Sequence, residues 1–174
     1  MPADFEWHTY LWLRGEGEPV RDDPTSLISH SQGLRREIAE KAMKQIRSLK
    51  KHGVGVVTCE TAGAVKAEAY IAMVQEIDRQ LIKQDAYAIM IVDGGVDGAP
   101  DPHVRAAHRD LDFRTRRLLE DGWLQPARAN QLVQVADHVV HTAYQAARKK
   151  PARKYMWDWY QTHLHEMEWE CKCP

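Results

Sequence analysis

Ala86-Tyr-Ala-Ile-Met-Ile-Val-Asp-Gly-Gly95 is the most strand-like run in the chain, and it ends on a carboxylate. Every residue from Tyr87 to Val92 is apolar or amphipathic, the pattern of a central strand covered on both faces. Asp93 falls where the strand stops, and Gly94-Gly95 lets the backbone turn sharply beside it. Ligands collect at the carboxyl ends of strands in open α/β sheets, which makes Asp93 a candidate functional group. The competing reading is local: an Asp at this point also opens a turn by accepting from its own backbone.

Working outward, Ala64 to Gln84 carries Val65, Ala69, Ala72, Met73, Ile77 and Leu81 at helical spacing. Val54 to Cys59 is a short β-branched run that reads as another strand. Leu34 to Lys51 is an earlier helix, with Leu34, Ile38, Ala42, Ile46 and Leu49 on one stripe and Gly53 ending it. Phe5 to Leu13 has alternating character and reads as a first strand, and Glu18 to Gly33 as a surface loop. Helix, strand, helix, strand in that order predicts crossover units with parallel neighbours. Downstream, Gly94 to Pro102 is a Gly/Pro/Asp loop and His103 to Asp121 a mostly exposed helix. Gly122 to Pro126 is an extended link, Arg128 to Lys149 a long helix, and Pro151 opens another that runs to about Glu168.

The 174 residues suit a single domain with a sizeable core. With 24 Lys and Arg against 25 Asp and Glu, no bulk charge argues for nucleic acid, so any basic surface is local, at Arg105 to Arg117 or Arg148 to Lys154. No apolar run reaches membrane-spanning length, and three cysteines form no framework of pairs, which together predict a cytoplasmic protein. Most of the six Trp lie near the two ends, which are therefore expected to pack down.

In the helix from Arg128, about 100° per residue gathers Leu132, Val135, Ala136, Val139, Val140, Ala143 and Ala147 on one face, expected to pack on the sheet. Asp137 falls at its edge, with Gln134 and His141 on the same polar strip. A partly buried carboxylate there needs a partner. That partner is either an arginine or capping group, or a hard divalent cation shared with an acid from another element. Asp93 is the natural second acid.

Three further runs give these residues a context. Ala107-His-Arg-Asp-Leu111, Thr115-Arg-Arg-Leu-Leu-Glu-Asp-Gly-Trp-Leu-Gln125 and Asn130-Gln-Leu-Val-Gln-Val-Ala-Asp137 together resemble the bacterial and phage family catalogued as domain of unknown function 3800. Members carry a similar Gln-x-Ala-Asp helix after a strand ending in Asp. The likeness covers roughly residues 54 to 149. It implies an α/β, ribonuclease H-like fold, in which a central mixed sheet is flanked by helices on both faces and acids gather at one edge. It also implies Mg²⁺- or Mn²⁺-dependent cleavage of phosphodiesters in nucleic acid. Carried over by position, Asp93 and Asp137 are the metal ligands and Gln134 orients one of them; His141 or His138 is then expected to support a ligand from behind or to shuttle a proton. The family's opening Asp-Glu-Ser-Gly or Asp-Asp-Ser-Gly strand has no counterpart here, since His8 to Leu13 holds no acid. That difference sets a second expectation beside the first: an inactive relative that binds a protein or assembles with itself.

His163-x-His165 and Cys171-x-Cys173 hold groups that zinc accepts, but positions i and i+2 diverge on a helix and the spacing matches no finger. They read as a polar helix end with two surface thiols. Cys59 reads as a small buried hydrophobe.

Overall fold

The computed structural model describes residues 31–58, 66–93, 102–126 and 129–169. The expected first strand, the Gly94–Gly95 turn, Cys59 and the two tail cysteines lie outside them. Of the described residues 66% are helical, and the sheet has two short parallel strands. This overturns the ribonuclease H-like reading, because no central mixed sheet flanked on both faces is present among the described residues. The elements are α1 (Gln32–Ser48), α2 (Lys66–Lys83), β1 (Ile91–Asp93), α3 (Pro102–Arg109), β2 (Trp123–Gln125) and α4 (Gln131–Arg148). The described residues fall into two compact units, one built from residues 31–56 and 129–169 and the other from residues 57–58, 66–93 and 102–126.

In the first unit, Ser31 caps α1 by accepting from the Leu34 amide. The helix tightens into a 3₁₀ turn over Leu49–His52, and Gly53 ends it in the left-handed conformation that glycine adopts most easily. Asn130 caps α4 in the same manner as Ser31, accepting from Leu132. His138 of α4 meets Ala39 of α1, and Thr142 meets Met43. Both pairs are 99 residues apart, so the two helices run parallel. Ala39, Met43, Ile46, Val139, Met156, Trp159, Leu164 and Met167 form the core around them.

The helix expected from Pro151 to Glu168 is instead a 3₁₀ segment (Pro151–Met156), a π turn (Tyr160–Leu164) and a further 3₁₀ turn (His165–Met167). The run expected as a strand at Val54 to Cys59 makes a single parallel bridge, Val56 with Glu168. The Val56 amide donates to Met167 O at 2.8 Å and its carbonyl accepts from the Trp169 amide at 3.0 Å. Here Gly55 has no substitute, because a Cβ would collide with the Trp169 indole.

In the second unit, α2 packs against α3, and Val74, Leu81, Ala107 and Leu118 form the core with Ala86, Ala88 and Met90 against it. The crossover expected from the sequence is present between different segments: β1, α3, β2, with Ile91 beside Trp123 and Asp93 beside Gln125. Ala88 already bridges Leu118 further back. Three steps on one chain therefore match five on the other, and Glu120-Asp121-Gly122 is displaced from the ladder between the two pairings. The segment Gly122 to Pro126, expected as a mere link, contains β2. The helix expected from His103 to Asp121 stops at Arg109. Strand burial also departs from expectation. From Ala86 to Asp93 it alternates residue by residue, so one face packs on the helices and the other is bare.

Candidate functional site

Four side chains carry the sequence-based site. Asp93 ends β1 and is exposed, in the second unit. Asp137 is exposed on α4, in the first unit. Its exposure removes the burial cost from which its need for a cation was argued. Gln134 is buried on the side of α4 that faces the core, while Asp137 three residues on is not. His141 is half-buried; burial lowers its pKa, and the charge of Asp137 acts in the opposite direction. Gln134, Asp137 and His141 thus share a helix, and Asp93 belongs to the other unit. Among the described residues no three His, Cys, Asp or Glu side chains converge as a metal-holding group.

The side of α4 that turns inward is a polar one. Gln134, His138, Thr142 and Gln145 are all buried. His138 Nε2 lies 3.1 Å from Ala39 O, and burial pushes its pKa down to about 4, so the ring is neutral and donates to that carbonyl. The Thr142 hydroxyl donates to His138 O at 2.9 Å and lies against the Met43 sulfur. Burial also lowers the pKa of His163, in the π turn, with Glu40 opposing. His165, two residues on, is exposed, with Nδ1 3.4 Å from Glu168 Oε2. The apolar stripe read as the packing face is in good part outside, with Leu132, Ala136, Val140 and Ala147 exposed.

In the second unit two carboxylates missed by the sequence reading hold the fold. Asp78 is buried on α2 and accepts from the backbone amides of Arg117 at 2.6 Å and Leu118 at 3.0 Å, at the start of the second parallel segment. His108 is buried at the end of α3, with Nδ1 2.7 Å from Asp121 Oδ1 and Nε2 3.0 Å from Leu118 O. A carboxylate beside a histidine invites comparison with a general base. Here the second nitrogen faces a backbone carbonyl, not a nucleophile, so the pair clamps the displaced Glu120-Asp121-Gly122 turn. No spacing in the sequence signals a contact spanning 13 residues of irregular chain.

The second unit leaves one side of its parallel segments bare. Tyr87 is 61% exposed, Ile89 54%, Ile91 37%, Leu119 51% and Trp123 63%. Register partners on neighbouring strands point the same way, so Ile91 and Trp123 stand side by side. The Arg117 guanidinium lies 4.5 Å from the Tyr87 ring centre and 2.9 Å from Asp85, giving the patch a charged border. Parallel sheets occur almost only with both faces covered, and the largest apolar patch on a protein is often a functional one. Comparison with protein-family models, curated proteins and solved structures finds no match to this chain.

Proposed function

We propose that the chain is a protein-interaction module whose working surface is the bare face of the β1–β2 sheet. The observation that carries this reading is the alternation from Ala86 to Asp93, which leaves Tyr87, Ile89 and Ile91 outside together with Leu119 and Trp123. Isoleucine and tryptophan gain most when they leave water, and aromatic anchors dominate binding energies at interfaces. A photo-crosslinking side chain placed at Ile89 forms protein adducts in cells, whereas the same group at the exposed Asp112 does not. Equal yields at the two positions, or none at Ile89, refute the reading.

A second reading, metal-dependent cleavage of nucleic-acid phosphodiesters, is favoured by the position of Asp93 at the carboxyl end of a parallel strand. Under that reading Asp93 is a ligand of Mg²⁺ or Mn²⁺. Mn²⁺ then raises the Tm of the wild type and leaves that of Asp93→Asn unmoved, since a ligand held only by the folded state stabilises it. No shift in the wild type removes it. Among the described residues, no helix is long and apolar enough to cross a membrane, and the partner under either reading is a protein or a nucleic acid.

A further inference from the structure

We infer that the partner of the bare sheet face is the same face of a second copy of this chain, packed across a two-fold axis. The inference rests on the reading of the chain as an interaction module and adds the identity of the occupant. Three observations support it.

The first is area. At about 200 Å² for a fully exposed large side chain, the five exposed fractions leave roughly 500 Å² of apolar surface on one copy. Two copies that cover this area completely bury roughly 1,000 Å², the lower bound for a specific interface.

The second is the layout of the patch. Its middle is Ile89, Ile91, Leu119 and Trp123, with Tyr87 and the Arg117–Asp85 pair at one end and the exposed Asp93 at the other. An apolar centre with a charged border is the anatomy of a protein interface, and across a two-fold axis the uncharged middle of the patch meets its own copy with no like charges opposed. Two sheets stack face to face about 10 Å apart with their side chains interleaved, so the occupant matches the patch in breadth. An extended peptide would extend the sheet at its edge and leave this face bare.

The third is charge. The chain carries a formal net charge of −1, so two copies approach without long-range repulsion.

Sedimentation equilibrium of the full chain at micromolar concentration tests this. The expected mass is about 40 kDa, twice the 20.0 kDa of the chain. Trp123→Lys brings it to that of one chain, with far-UV circular dichroism unchanged because the side chain is exposed in the single copy. Should Trp123→Lys lose its helical signal, Ile89→Lys gives the same test at a second exposed position. A monomeric wild type overturns the inference, and so does a dimer that persists in both lysine variants. The wider reading is judged separately, by the mass of the Ile89 crosslink. An adduct of two chains supports the inference. An adduct of another mass on a monomeric chain overturns it while leaving the interaction module standing, and no adduct at all ends both.

Discussion

His138 gives the sharpest test of how the first unit is held together. Its ring is enclosed between α1 and α4, its Nε2 donates to Ala39 O, and its pKa falls from 6.5 to about 4 through burial. That displacement makes protonation cost about 3 kcal/mol more in the folded than in the unfolded chain. Because the folded value lies below the unfolded one, the contribution is complete above pH 6.5 and is lost as the pH falls towards 4. By pH 5 the loss is about 2 kcal/mol, a large part of the stability of a small unit. Gln at this position keeps an amide donor and cannot take up a proton in this range. His138→Gln should cost about 1 kcal/mol at pH 7, for an imperfect replacement of the hydrogen bond. It should then lose about 2 kcal/mol less than the wild type between pH 7 and pH 5. Urea unfolding at the two pH values, read by hydrogen exchange over the α4 amides, reports on this unit alone. Equal acid losses in the two proteins would refute the reasoning, since the titrating group would then lie elsewhere.

Asp78→Ala strands the amides of Arg117 and Leu118, the second of them buried, and should cost about 2 kcal/mol in urea unfolding of the second unit. Gly55→Ala sets a methyl group against the Trp169 indole and should release the Val56–Glu168 bridge, seen as a rise in acrylamide quenching of tryptophan and a Tm several degrees lower. Asp121→Ala frees His108 Nδ1 and should raise hydrogen exchange across 118–123 while leaving that of α4 unchanged, an effect confined to the second unit.

The helices were legible where periodicity and punctuation agreed. The spacing of α2 and the Gly53 stop of α1 locate both elements to within a few residues. For α4 the periodicity located the helix but assigned it the wrong inward side. Gln134, His138, Thr142 and Gln145 look like a solvated strip because nothing in the sequence shows that α1 supplies a carbonyl to His138 and a sulfur to Thr142. In the β1 region the error had the opposite sign. A run that is apolar at every position signals burial on both faces, yet Tyr87, Ile89 and Ile91 are outside, so hydrophobicity here marks a surface and not a core. Asp93 was placed correctly at the end of a strand, whereas Asp78 and Asp121 were invisible as structural groups because their partners are backbone atoms and a distant histidine.

The second unit is spliced into the first along the chain, and that has a consequence for synthesis. α1 leaves the ribosome 99 residues ahead of the side chains of α4 that cover Ala39 and Met43. At roughly 5–20 residues per second, its greasy stripe waits on the order of ten seconds for its mate. During that interval residues 57–126 emerge and can collapse into their own core. Such a collapse draws the two ends of the insert together and shortens the effective loop that α1 and α4 must close. Slowing translation within the insert should therefore be tolerated, whereas weakening its core should raise the share of nascent chains that chaperones must retrieve.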